Sequence, residues 1–403
     1  MRRVPLAWHN LTHDLTRFVL FVAGIGFAVV LMFVQNGFRH ALLDSNVLLI
    51  DALDADLLLT SCRGGTVAQP ETYSRHRLLL AASVSGVRSV HPLYVEYNAS
   101  VLRDPAAQAD RRGPGRPIRV LGLDPHARLL RLPELDPDSP ASRVADLALP
   151  GNALYDRRAK RSLADRSLSV FGPLADGLDT DLAGRNLHLA GGFDLGTDFT
   201  ADGTLLVSEE TFAAFLRPPP LHTHGLDRVQ IGLIRLDPNA DRRRVQSDLQ
   251  ALYAGQELDV LTPAQFADRE KDYWLHCTPI GFVFGFGMMM GFVVGLVICY
   301  QILSSDVTDH LPEYATLRAI GYPGRYLSVV VLQEALLLAL AGFLPGLLVS
   351  AGLYAYLGRM TGLPLRLLPA RVAFVFALTL VMCAASGWLA LRKAREVDPA
   401  EVF

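Results

Sequence analysis

Charge is scarce in this chain of 403 residues. Asp, Glu, Lys and Arg make up 19% of it, against about 25% in soluble globular domains. The formal net charge of −2 leaves no excess of either sign, which excludes a strongly basic nucleic-acid binder. Cysteine is scarce too. Cys62, Cys277, Cys299 and Cys383 show no metal-ligand spacing and no disulfide framework. Three of them lie in apolar runs, so the polar part holds only Cys62 and contains no internal disulfide. No G-x-x-x-x-G-K-[ST] loop occurs, so the chain does not bind ATP by that route. G-x-S-x-G and H-E-x-x-H are also absent, and nothing sets a nucleophile beside a base. No metal site is expected. His9 and His13 lack a third ligand, and His222-Thr223-His224 follows three prolines as an exposed loop.

Long apolar runs are what the sequence does have. Its mean hydropathy is +0.27. A helix crossing a hydrocarbon core about 30 Å thick needs roughly 20 apolar residues. Four uncharged runs meet this length: 18–38, 273–305, 335–358 and 372–391. The first reads as a retained anchor, because Gln35-Asn36-Gly37-Phe38 offers no signal-peptidase site. Arg2, Arg3 and Arg17 precede it and only Arg39 follows closely, which places the N-terminus in the cytoplasm. Four crossings return the C-terminus there, beside Arg392, Lys393 and Arg395. Arg359, Arg366 and Arg371 run against this bias, since the topology puts them outside.

One span stands at the start and three at the end, so residues 39–272 form one large extracytoplasmic segment, long enough for its own core. Strands are expected at 55–61, 87–102, 119–123, 229–236 and 258–261. Helices are expected at 71–82, at 242–253 with Val245, Leu249 and Leu252 on one face, and from Pro263 onward. The middle, 125–224, is rich in turn signals, including Gly191-Gly192, Asp202-Gly203 and Pro218-Pro219-Pro220. The expected fold is therefore a four-span α-helical membrane protein with an α/β domain, 39–124 and 225–272, interrupted by a turn-rich insert.

Three membrane features stand out. Gly287, Gly291 and Gly295 make two consecutive GxxxG steps, and Gly342, Gly346 and Ser350 repeat the device beside Pro345, which is expected to kink its helix. Small residues let helices approach closely, either within one chain or between two copies. Glu334 borders the third span and reads as an interfacial residue rather than a proton relay. No other ionisable residue sits deep in a span, which argues against a secondary transporter. The 306–325 connection carries a short helix with Tyr314, Leu317 and Ile320 as an apolar stripe and Glu313 and Arg318 beside it. It reads as a linker or as a knob for a cytoplasmic partner. Trp8, Leu11, Leu15 and Phe18 mark an amphipathic helix in 1–17, suited to the membrane surface.

The run Glu270-x-x-Tyr273-Trp274, Thr278-Pro279-Ile280-Gly281-Phe282, Gly291-Phe292-Val293-Val294-Gly295, Tyr300-Gln301-Ile302-Leu303, Asp306-Val307-x-Asp309-His310-Leu311-x-Glu313-Tyr314-Ala315-Thr316-Leu317 and Gly321-Tyr322 resembles the DevC permeases. These belong to the FtsX-like, MacB-type class of ABC transporters. Pro5-Leu6-Ala7-Trp8 and Asp398-Pro399-Ala400 match as well, as do His91-Pro92-Leu93-Tyr94-Val95 and Gly191-Gly192-Phe193-Asp194-Leu195-Gly196 more weakly. The resemblance implies an inner-membrane, multi-pass, non-catalytic subunit. Its periplasmic domain would be a Porter-like subdomain interrupted by a Sabre-like insert. The spans would be 18–38, 273–305, 326–358 and 372–391, with a periplasmic loop at 359–371 and a cytoplasmic tail at 392–403. It implies a homodimer, a separate DevA-like ATPase that binds ATP and Mg, a DevB-like membrane fusion protein and a TolC-like outer-membrane channel. No cofactor is implied in this chain. The ATPase would couple at Glu313, Tyr314, Leu317, Arg318 and Ile320. Its work would drive periplasmic motion that expels cargo without passing it through the spans.

Two rival functions share this outline. One is a LolC/LolE-like permease that releases lipoproteins. The other is an FtsX-like activator of a cell-wall hydrolase. An adaptor protein, a bound lipoprotein and a bound hydrolase are the respective distinguishing partners.

Overall fold

The computed structural model describes residues 15–64, 66–68, 70–97, 100–105, 115–162, 164–216, 226–309 and 324–396. The expected N-terminal amphipathic helix before Leu15, the coupling residues Glu313, Tyr314, Leu317, Arg318 and Ile320, the polyproline loop and its histidines, and the Asp398-Pro399-Ala400 motif lie outside the described residues. The helices are α1 (Leu15–Asn46), α2 (Leu48–Ala52), α3 (Arg75–Leu80), α4 (Val144–Leu147), α5 (Glu209–Leu216), α6 (Arg242–Leu252), α7 (Pro263–His276), α8 (Pro279–Asp309), α9 (Gly324–Thr361) and α10 (Pro369–Glu396). The strands are β1 (Leu57–Ser61), β2 (Tyr73–Ser74), β3 (Val87–Glu96), β4 (Val101–Arg103), β5 (Gly115–Pro117), β6 (Arg119–Leu123), β7 (Asn152–Asp156), β8 (Leu178–Leu182), β9 (Arg185–Phe193), β10 (Thr204–Ser208), β11 (Arg228–Val229), β12 (Ile231–Leu236) and β13 (Leu258–Leu261). The chain divides into two units, one of 1–41, 279–357 and 365–403, the other of 42–278 and 358–364.

The α/β unit is built on a mixed sheet of eleven strands in the order β13-β1-β12-β3-β6-β10-β7-β9-β8-β4-β5. Only β6–β10 and β7–β9 pair in parallel. The strands at its centre are apolar on both faces because both faces are covered. Successive strand residues point to opposite sides. Leu57 and Leu59 thus enter one core with Leu78 of α3, Phe212 of α5 and Val245 and Leu249 of α6. Leu58 enters the other with Leu49 and Ile50 of α2, Leu147 of α4 and Phe266 of α7. Each fully buried leucine contributes about 1.5–3 kcal/mol relative to exposure. The second β2–β11 pair ties Tyr73 to Val229.

Three local expectations change. The helix expected at 71–82 starts only at Arg75, because Tyr73 and Ser74 are taken by the β2–β11 bridge, and Ser74 is extended at the N-cap. Leu252 does not share the buried face of α6: it is 37% exposed, while Tyr253 is 1% exposed. The core row is Val245, Leu249, Tyr253, a strict four-residue step. Gly191 and Gly192 do not make a turn but lie inside β9. A Cβ on Gly192 would come within 2.8 Å of Arg157 and one on Gly191 within 3.1 Å of Arg143. Close side-chain crossing, rather than chain reversal, requires these glycines. Strands β4, β5 and β6 also join the same sheet as β7 to β10, so the turn-rich middle continues the sheet.

The other unit contains the long apolar helices. Phe18–Asn46, Pro279–Asp309, Val329–Thr361 and Pro369–Arg392 are each long and apolar enough to cross a membrane. The uncharged run beginning at Tyr273 is divided. Helix α7 ends at His276, Cys277 caps it, and α8 begins at Pro279. Pro279 has no N–H to extend the α7 ladder and biases Thr278 away from helical backbone. Helix α9 is continuous across Pro345. Ile25, Met32, Cys299, Leu303, Leu338, Ala339, Met382 and Cys383 form the shared core of this unit. Leu332, Leu336, Leu340, Leu344 and Leu348 form an exposed row at every fourth position of α9, the arrangement expected of a lipid-facing stripe.

Candidate functional site

Helix contacts at the small residues define the first part of the site. A Cβ on Gly287 would stand 2.6 Å from Gln35, and one on Gly291 would stand 3.4 Å from Leu31. One on Gly295 would stand 2.6 Å from Ala28 and collide with Met382. The glycine face of α8 is therefore filled by α1 and α10 of the same chain. Gly342 and Gly346 of α9 face α1 from another side: added Cβ atoms would come within 2.6 Å of Ile25 and 2.8 Å of Val29. All five sequence-selected glycines thus belong to intramolecular helix contacts, with α1 between α8 and α9. The Tyr354 hydroxyl donates to the Phe33 carbonyl and reinforces the α1–α9 contact. Ser386 donates from α10 to the Leu296 carbonyl of α8 at 2.8 Å.

Glu334, which borders the third uncharged run, is fully buried within the helical unit. Val330 and Leu338, one turn away on either side, are buried as well. Its position on that inward row places it inside.

The second part lies in the α/β unit, on α7. Thr262 and Gln265 form a reciprocal capping box at its start, with Pro263 in the first turn. One face then carries Phe266, Arg269, Glu270 and Trp274. The Glu270 carboxylate accepts from the Thr66 hydroxyl at 2.5 Å, the Val67 N–H at 2.9 Å and Trp274 Nε1 at 2.8 Å. Glu270 is 2% exposed. Burial raises its pKa above the usual carboxylate value, against the opposing effect of these three donors and Arg269. Arg269 donates to Asp259 at 3.1 Å and to Thr60 at 2.9 Å, and lies over the Phe266 ring. Burial lowers the Arg269 pKa, opposed by Asp259 and Glu270. The arrangement fastens α7 to β1, β13 and the loop after β1. It holds a helix whose next helix in sequence is the membrane-length α8.

A third cluster surrounds Arg119 at the start of β6. Its guanidinium is 1% exposed, pairs with Asp198, and donates to Thr204 at 2.9 Å and Tyr97 at 3.1 Å. Burial opposes its charge, but Tyr97 and Asp198 outweigh this and raise its pKa. Asp198 also accepts from Thr200 and the Ala201 N–H. The Gly191–Gly196 motif is anchored separately by Asp156, whose carboxylate accepts the Leu195 and Gly196 N–H groups at 3.3 and 2.9 Å.

Sequence reading singled out Glu270 and Trp274 within a motif but not Thr66, Arg269, Arg119 or Asp198. Arg119 and Asp198 are far apart in sequence, and only their burial brings them together. Among the described residues, no group of three His, Cys, Asp or Glu side chains could hold a metal ion.

Residues 284–399 match the family model described as FtsX-like permease C-terminal. This segment includes most of α8 and all of α9 and α10. No curated protein matches the chain. Among solved structures, the periplasmic region of MacB from Actinobacillus actinomycetemcomitans aligns at 10% identity, covering 54% of this chain and 92% of that one, with a TM-score of 0.34. The extracellular domain of the noncanonic ABC-type transporter YknZ from Gram-positive bacteria aligns at 12% identity, covering 52% and 99%, with a TM-score of 0.33. The chain thus combines an FtsX-like permease C-terminal segment with four membrane-length helices and a mixed α/β unit.

Proposed function

We propose that the chain is the membrane permease subunit of an ABC-type exporter, powered by an ATPase on another chain. The family match over 284–399 carries this reading. The missing phosphate loop supports a separate energy source. The finer proposal is a DevC-like homodimer in the inner membrane, with both termini cytoplasmic and the α/β unit periplasmic. A Porter-like part and a Sabre-like insert would make up that unit. A DevA-like ATPase would bind ATP and Mg and engage the segment containing Glu313, Tyr314, Leu317, Arg318 and Ile320. A DevB-like adaptor and a TolC-like channel would complete the route for expelled cargo. In this proposal α7 passes motion from α8 into the sheet through Glu270 and Arg269.

The test is a Tyr314→Ala, Leu317→Ala double variant in nanodiscs. Truncating buried interface anchors commonly costs about 2 kcal/mol or more each, while rim charges cost less. The double variant is expected to insert normally and lose at least tenfold in recruitment of the partner ATPase. Wild-type recruitment and turnover would refute this coupling surface. Failure of any ATPase to bind the wild-type chain would refute the exporter reading.

A further inference from the structure

The turn 195–201 lies between β9 and β10 and is held on both sides of Phe199. The Asp156 carboxylate accepts the Leu195 and Gly196 N–H groups. The Asp198 carboxylate accepts the Thr200 and Ala201 N–H groups at 2.9 and 2.7 Å while it pairs with Arg119 of β6. Between these anchors the Phe199 ring is 53% exposed. A single exposed apolar side chain is ordinary on a protein surface. Here the flanking backbone is fixed by two carboxylates, so the fold itself holds the ring outward.

The neighbours of the turn are the residues that lead into the membrane-length helices. Phe199 meets Trp274 edge-on with centroids 5.9 Å apart, and Trp274 meets Tyr273 in the same way at 5.9 Å. Phe199 also shares an open cleft with Thr278, the residue before α8. Two residues earlier, Thr197 approaches the connection that follows α9: a Cβ on Gly362 would stand 3.1 Å from the Thr197 hydroxyl oxygen. Gly362 is four residues past Gly358, where the uncharged run of α9 ends; in helical geometry that is a rise of about 6 Å. The headgroup layer on each face of a bilayer is about 5–8 Å deep. A chain that enters the membrane at the start of α8 and returns through α9 has both of these points at one face, and the 195–201 turn touches both. Trp and Tyr gather at this depth because each joins an apolar ring to a polar handle.

We propose that the 195–201 turn is a membrane-surface anchor, with Phe199 set into the headgroup layer of the bilayer beside Tyr273 and Trp274. The buried Arg119–Asp198 pair then ties β6, in the interior of the sheet order, to the lipid surface through a segment remote in sequence from every span. The inference rests on the four-crossing reading; it does not involve the ATPase or the cargo.

The test is spin labelling of the full chain in phosphatidylcholine nanodiscs, with Cys62→Ser, Cys277→Ser, Cys299→Ala and Cys383→Ala removing the native thiols. Labels on Phe199→Cys, Leu79→Cys and Phe282→Cys variants are compared by their collisions with oxygen, which concentrates in lipid, and with a nickel chelate, which stays in water. Leu79 is as exposed as Phe199 but lies on α3, across the sheet from α7, and Phe282 is an exposed residue of α8. The oxygen-to-nickel collision ratio at 199 is expected to exceed that at 79 by about threefold or more, as befits a side chain at the lipid interface. Equal ratios at 199 and 79, with 282 in lipid, overturn the anchor and leave the four crossings standing. Few collisions with either reagent at 199 mark cover by protein, a second copy included, and overturn it too. Water exposure at 282 as well overturns the anchor together with the four-crossing reading. Phe199→Trp in the chain with its native cysteines gives a second measurement, independent of the cysteine replacements. The fluorine signal of 5-fluorotryptophan at 199 is expected to broaden with 5-doxyl phosphatidylcholine in the disc and to resist a water-soluble gadolinium chelate; the reverse pattern overturns the proposal.

Discussion

Replacing Glu270 with Ala removes one acceptor from three donors: Thr66 O–H, Val67 N–H and Trp274 Nε1–H. Each donor left buried and unsatisfied costs about 1–3 kcal/mol. Removing a buried carboxylate recovers several kcal/mol of desolvation, and Trp274 is near solvent, so the net loss is about 2–4 kcal/mol. Gln keeps one carbonyl for Thr66 and Trp274 but turns an amide donor towards Val67. Its expected loss is about 1–2 kcal/mol. Denaturant unfolding of the full chain in nanodiscs measures both. Hydrogen exchange locates the change, with faster exchange expected in α7 and 66–68 before the rest of the sheet. If both variants unfold within about 0.5 kcal/mol of wild type and α7 exchanges no faster, the carboxylate is not fastening this helix.

The same residue gives a pH signature. Its raised folded-state pKa means that the native state retains a proton where the unfolded state has lost it. Its stabilising contribution is therefore present below the ordinary Glu value of about 4.3 and lost as pH rises through the raised value; Glu270→Gln should remove that part of the slope, and an unchanged slope would refute the assignment. Gly346→Leu is expected to destabilise the helical unit by about 1–3 kcal/mol through overpacking, because even its Cβ would meet Val29 at 2.8 Å and the Gly26 carbonyl at 3.0 Å; thermal unfolding should separate it from the milder Gly291→Ala. Arg119→Met is expected to cost about 3–5 kcal/mol by stranding Asp198, with wild-type urea unfolding contradicting the buried pair. For topology, a reporter active only outside the cytoplasm should work when fused after Leu236 and fail after Gly321, and activity at both sites would sink the four-crossing proposal.

Local patterns made much of this fold legible. Pro263 marked the start of α7, and 258–261 read as the strand it is. The turns were less legible because glycine answers two different demands. At Gly191 and Gly192 it permits side chains to cross a strand, and neighbouring sequence does not reveal Arg143 or Arg157 above it. The division between flank and insert was hidden for a related reason: β6 finds its parallel partner in β10, and pairing at that separation leaves no mark in either segment.

The buried charges show where a readable signal stops. Arg119 is on the same strand parity as Leu121 and Leu123, whose side chains enter the core. Glu270 is one turn from Phe266, and Glu334 is one turn from Val330 and Leu338, all buried. In each case the period already places a charge on an apolar row. Such a placement is affordable only if the group finds compensation inside, since an isolated buried charge costs far more than a helix or strand preference can supply. The parity therefore identifies residues that need compensation, although it does not identify the compensating groups. Thr66 and Val67 reach Glu270, and Asp198 reaches Arg119, only through tertiary folding. Periodicity selects where remote compensation is required; the fold supplies it, and those are the places where one substitution should disturb a whole unit.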